Sequence, residues 1–112
     1  MKSRLLIVGL LVLFLAACGV PVPPGKSNYV GEWKSVGMSL TVTSDGWVDY
    51  KRSSGGLSKS VSGPIKRFDG DDFVVGILFF TTTFEVSVTP HKDDSTWKMV
   101  VDGVELTKVW PR

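Results

Sequence analysis

One cysteine, one histidine and a cluster of aspartates are the side chains in this 112-residue chain best suited to chemistry. Cys18 is the only thiol, set in Leu15-Ala16-Ala17-Cys18-Gly19. A nucleophilic or metal-binding thiolate needs a base, a cation or further ligands beside it. The sequence places no histidine near Cys18. His91 sits in Pro90-His91-Lys92-Asp93-Asp94, a polar stretch that reads as a turn and lacks the spacing of a metal site. Asp69, Asp71 and Asp72 surround Gly70 and suggest a cation loop. They lack the longer pattern and terminal glutamate of a calcium loop, so a solvated turn is expected. Asp71 and Asp72 would face opposite sides of an extended chain, which is wrong for acid–base work on one substrate. The serines at 53, 54, 58, 60 and 62 have no partner base in sight. The expectation is a non-enzymatic protein with no catalytic residue, no metal and no cofactor.

The surroundings of Cys18 carry more information than its thiol. Lys2 and Arg4 precede an uncharged apolar run over 5–17, and prolines at 21, 23 and 24 follow. A basic start, a short apolar segment and small residues at the exit form a secretory signal peptide. About 13 helical residues reach about 20 Å, short of the ~30 Å hydrocarbon core, so a permanent spanning helix is the weaker reading. Leu15-Ala16-Ala17-Cys18 resembles the lipobox of bacterial lipoproteins. The resemblance implies a diacylglyceryl thioether on Cys18, cleavage between Ala17 and Cys18, and palmitate-type acyl chains holding the mature N-terminus in a membrane. Two or more chains anchor stably where one does not. Gly19, where enteric lipoproteins kept in the inner membrane carry Asp, implies an outer-membrane location facing the periplasm. The organisation expected is a signal peptide over 1–17, a lipidated N-terminus and Pro/Gly tether over 18–28, and one domain over 29–112.

Composition changes once the leader is set aside. The 13 Lys+Arg against 11 Asp+Glu of the whole chain include Lys2 and Arg4, so the remainder is formally neutral. A neutral, mixed surface excludes the clustered cations that nucleic-acid binding needs. With Cys18 acylated, no disulfide is available. The stability of about 95 residues then rests on packing, with four tryptophans as the main material.

From residue 28 onward the hydrophobic period is two. Phe84, Val86 and Val88 alternate with polar residues, as do Trp97, Met99 and Val101, and Met38, Leu40 and Val42. Each pattern is one dry and one wet face of a strand. A two-residue Asp102-Gly103 turn aligns Val101 with Val104, Met99 with Leu106 and Trp97 with Lys108, as a type I′ hairpin. A three-residue loop over 44–46 aligns Val42 with Val48 and Leu40 with Tyr50, with Gly46 in the left-handed bulge position. A third hairpin turns at 69–72. Strands are expected at 29–36, 38–43, 47–53, 57–62, 64–68, 73–79, 83–89 and 96–101, with 104–110 as a further one. The fold class is all-β: a small antiparallel meander, preceded by a signal-peptide helix and forming a closed or nearly closed barrel of about eight strands, since closure removes exposed edges. Alternation fails only over 73–80, which reads either as a strand buried on both faces or as an apolar surface for a ligand, partner or bilayer.

Gly31-Glu32-Trp33 in the first strand, leading into a meander, resembles the lipocalin and lipocalin-like barrels. In that family the tryptophan closes one end of the barrel and a late basic residue packs across it, a part that Lys108 or Arg112 would take here. The final hairpin over 102–108 also resembles that of uncharacterised bacterial lipoproteins, a likeness that implies no activity. Three functions follow as expectations. The first is a lipid-anchored interaction module for an envelope protein, with Ile77, Leu78, Phe79, Phe80, Trp47 and Trp110 as its surface. The second is a carrier of a small apolar ligand, with Trp33, Leu40, Val86, Met99 and Leu106 lining a pocket. The third is an inhibitor of an enzyme or phage that attacks the envelope, acting through a loop over 53–60 or 89–95. Labelled palmitate is expected to enter the wild-type chain and not Cys18→Ser; equal incorporation into both, or into neither, overturns the anchor.

Overall fold

A computed structural model describes residues 21–111. Cys18, the cleavage position at Ala17 and the signal-peptide helix lie outside them, as does Arg112. A 3₁₀ helix (Pro24–Tyr29) opens the chain, followed by β1 (Gly31–Ser35), β2 (Met38–Val42), β3 (Trp47–Ser54), β4 (Leu57–Asp69), β5 (Asp72–Ile77), β6 (Phe80–Phe84), β7 (Val86–Asp93), β8 (Thr96–Val101) and β9 (Val104–Trp110). All nine strands form one sheet in the order β6-β5-β4-β3-β2-β1-β9-β8-β7, and every pairing is antiparallel.

The two registers expected from the hydrophobic pattern are present. Val42 faces Val48 and Leu40 faces Tyr50 across β2–β3. Met99 faces Leu106 and Val101 faces Val104 across β8–β9. Gly46 has φ +89°, and Asp102 and Gly103 have φ +49° and +78°, the left-handed values that these turns require. The reason is burial. Leu40, Val42, Val48, Tyr50, Met99, Val101 and Leu106 all lie in the core, and a one-residue slip would turn each set to solvent.

Other boundaries differ from the expectation. The segments 57–62 and 64–68 are one 13-residue strand, β4, in which Gly63 and Pro64 still pair with Val48 and Trp47 of β3. The strand expected over 73–79 ends at Ile77 and folds back into β6. The strand expected over 83–89 is divided at Glu85 into the end of β6 and the start of β7. Residues 24–29, expected as tether and the start of a strand, form the 3₁₀ helix, which ends on the buried Tyr29.

The barrel is neither closed nor eight-stranded; it is an open half-barrel of nine strands. Parity explains the opening. The only neighbours left unpaired in the cyclic order are β6 and β7, and with nine strands alternating in direction these two run the same way. A parallel pair needs a crossover of about a dozen residues or more, and only Glu85 separates them. The break is held by two carboxylates. The Glu85 N–H donates to Asp102 Oδ1 at 2.9 Å and the Val86 N–H to Asp72 Oδ1 at 2.8 Å. The Asp102 N–H returns a bond to the Glu85 carbonyl at 2.8 Å. Side chains from two turns thus satisfy amides that a partner strand would otherwise take.

Removing one acceptor leaves a half-buried amide unpaired, so Asp72→Ala is expected to lower stability by about 1–3 kcal/mol. Asp72→Asn keeps an oxygen in place and should lose less. Urea unfolding of both variants checks the order, and an equal loss would contradict the acceptor role.

Candidate functional site

Trp33 is wholly buried at the middle of β1 and ties three parts of the chain together. Its indole N–H donates to the Tyr29 carbonyl at 3.0 Å, fixing the 3₁₀ helix to the strand that follows. The Lys108 ammonium lies 4.9 Å from the Trp33 ring centre and 5.3 Å from that of Trp97. It also donates to the Asn28 carbonyl at 3.1 Å. A cation between two indoles gains from both ring faces. Burial pushes the Lys108 pKa down. Gly31 is what lets the lysine pass. With φ +144°, it is in a region that side chains avoid, and a Cβ there would sit 2.5 Å from the Trp110 carbonyl oxygen and 3.2 Å from Lys108 Cδ. The Gly31 and Trp33 of the Gly-x-Trp motif therefore have separate tasks: clearance for the lysine and the ring beneath it.

Tyr29 extends this plug into the aromatic core. Its ring meets Phe68 and Phe73 edge-on at 5.6 and 6.2 Å, and Phe73 stacks on Phe84 at 5.1 Å. Its hydroxyl donates to the Asp71 carbonyl at 2.8 Å. Lys26 donates to the Gly70 carbonyl at 2.8 Å and lies 3.6 Å from an Asp71 carboxylate oxygen. Asp69 pairs with Arg67 at 3.3 Å, and Asp72 holds the Val86 amide. The aspartates of the 69–72 turn are thus engaged in fastening elements together. His91 is exposed on β7, with Nδ1 3.0 Å from the Thr89 carbonyl oxygen. Among the described residues no group of three histidines, cysteines or acids is placed to hold a metal ion.

Trp33, Leu40, Val86, Met99 and Leu106, the residues assigned to a pocket, all belong to this close-packed core. The residues assigned to a surface are all exposed, in two different settings. Trp47 is exposed singly, as are Val36 and Leu57 near other turns, and Trp110 follows the exposed Val109 at the end of β9. Ile77, Leu78, Phe79 and Phe80 are consecutive at the β5–β6 turn and are 59, 68, 82 and 76% exposed. The unbroken apolar stretch therefore divides in two. Phe73, Val74 and Val75 are buried, Val74 despite pointing away from its neighbours, and residues 77–80 project into solvent. The Phe79 and Phe80 rings pack on each other at 4.8 Å.

No protein-family model, curated protein or solved structure matches this chain.

One feature escaped the sequence reading: the docking of the 3₁₀ helix through Tyr29, for which the spacing of Tyr29 four residues before Trp33 was the available signal. The register of the Asp102-Gly103 hairpin already sets Trp97 opposite Lys108, and the structure brings the ammonium to the Trp97 ring.

Tyr29 gives this end of the fold a pH signature. Burial, and next the charges of Asp71 and Asp72, push its phenol pKa from 10.0 up to about 12. The folded state then favours the neutral phenol, so this contribution is complete below pH 10 and is lost as pH rises from 10 towards 12. The lowered Lys108 pKa acts in the opposite sense, since a charged Lys108 penalises the folded state and deprotonation relieves it. Tyr29→Phe is expected to be about 1 kcal/mol less stable at neutral pH and to lose less stability than wild type between pH 10 and 12. Urea unfolding across that range checks it, and parallel curves for the two proteins would contradict it.

Proposed function

We propose that this protein is a lipoprotein of the bacterial cell envelope, lipid-anchored through Cys18 and facing the periplasm from the outer membrane, whose half-barrel is a non-enzymatic interaction module. One observation carries the reading. The residues that would line a carrier's pocket are buried against one another in the core, and the longest run of exposed large apolar residues among those described is Ile77, Leu78, Phe79 and Phe80. A carrier needs the reverse, an apolar cavity under a polar skin. Contiguous exposed apolar residues mark a contact surface. The engagement of the aspartates and the exposed position of His91 favour binding over catalysis.

The lipocalin-like reading is supported by the stacking of Lys108 across Trp33 in a Gly-x-Trp strand. It bears on the architecture more than on ligand carriage. In this protein that geometry fastens one end of a packed sheet.

Native mass spectrometry of the protein released from membranes in mild detergent is expected to show the acylated chain with no apolar molecule bound one-to-one. Photoreactive residues at positions 47 and 110 in intact cells are expected to trap an envelope component. A stoichiometric apolar ligand that is displaced by Met99→Trp, a core-filling change, would establish the carrier and overturn the interaction module.

A further inference from the structure

We infer that the β5–β6 tip rests in the surface of the same bilayer that holds the acylated Cys18, so that the domain touches its membrane at two points. The inference rests on the lipoprotein reading for the position of the anchor, and its other grounds lie in the fold.

The first ground is the chemistry of the turn. Leu78 has φ +59°, a left-handed conformation that is costly for a leucine. At each of the other six hairpin turns the left-handed positions are taken by glycine or aspartate: Gly37, Gly46, Gly55 with Gly56, Gly70, Asp94, and Asp102 with Gly103. Here alone a large apolar residue takes a strained position and is then left in solvent. Packing within the described fold gives no reason for it. A strained, exposed leucine next to two exposed phenylalanines is explained by a surface outside the protein.

The second ground is where the chain comes from. Pro21 and Pro23 line one recess with Ile65, Lys66, Arg67 and Phe68. The Lys66 ammonium donates to the Leu78 carbonyl at 2.6 Å. The same lysine thus adjoins both the incoming tether and the apolar tip. Cys18 lies three residues before Pro21, and three residues span at most about 11 Å. Acyl chains on Cys18 cannot hold the membrane far from this side of the domain.

The third ground is the chemistry of the tip. Apolar side chains form the end of the hairpin, and the Lys66 ammonium reaches the Leu78 carbonyl within it. Segments that lie in a membrane surface combine apolar side chains with cations that can meet lipid phosphates. A protein partner would need no acyl anchor beside it, and a second copy of this chain would need no cation at the tip. A bilayer accounts for both.

The test uses the full chain, isolated from cells in detergent as processed there and reconstituted into vesicles of phosphatidylethanolamine and phosphatidylglycerol. A photoreactive benzophenone residue replaces Phe79 in one sample and Asp94, at the β7–β8 turn, in another. Lipid adducts are expected on the peptide containing position 79 and not on the one containing position 94. Equal adduct yields at the two positions overturn the inference. So does a position 79 that stays free of lipid and is trapped only when solubilised envelope proteins are added. The mass of the N-terminal peptide in the same digest reports acylation of Cys18, so failure of the anchor is read separately from failure of the tip. Leu78→Asn supplies a second arm. Asparagine suits the left-handed turn, so this variant is expected to raise the unfolding midpoint while lowering the adduct yield at position 79. A lower midpoint with an unchanged yield would contradict the assignment.

Discussion

The fold depends on one lysine lying across one tryptophan. β1 and β9 are the first and last strands, and their pairing turns a row of hairpins into a curved, half-closed sheet. That contact joins the two ends of the chain, so it is entropically the most demanding in the sheet. Lys108 offsets the cost at a single point: it covers Trp33 on β1, packs under Trp97 on β8 and bonds to Asn28 at the end of the 3₁₀ helix. Gly31 leaves the space its stem needs. Two ring faces and a carbonyl oxygen offset part of the penalty of partly burying an ammonium, and the lowered Lys108 pKa marks the part that remains.

The opposite constraint acts at β6 and β7. Strand parity forbids their pairing, and the chain spends one residue where a closed barrel would need a ladder. Asp72 and Asp102 take over the amides at that point and stop the break from propagating. The sheet therefore has a tightly fastened first-to-last seam and a second seam left open. The β5–β6 hairpin belongs to the open side, since β6 is an edge of the sheet. Its apolar tip is consequently free of the packing that buries the aromatics at the other end of the same hairpin.

Apolar matter is thus divided between two uses. Trp33, Tyr29, Phe73 and Phe84 are buried together in the core that the sheet covers. Residues 77–80 contribute nothing comparable to that core, and Leu78 works against its own turn. Stability alone would select glycine or asparagine there. A small domain without a disulfide has little stability to spare, which makes the presence of such a turn informative.

Much of the architecture is legible in the sequence because it is enforced locally. The Asp102-Gly103 and Gly46 turns define their loop lengths, and strict alternation in Leu40, Val42, Val48 and Tyr50 permits one register. Strand edges were less legible where one strand continues through glycine and proline, as at Gly63 and Pro64, or changes sheet position without a turn, as at Glu85. No short-range pattern distinguishes those cases from an ordinary strand end. The apolar stretch 73–80 could be read two ways for the same reason: composition gives hydrophobicity and not the point at which the chain reverses. By itself the sequence determined the all-β class and the registers of the hairpins at 44–46 and 102–103, because each is written within a few neighbouring residues. The tertiary structure alone decided that Lys108 is the basic residue that covers Trp33, that the barrel stays open, and that residues 77–80 point outward. Each of those depends on how many strands intervene and in which direction they run.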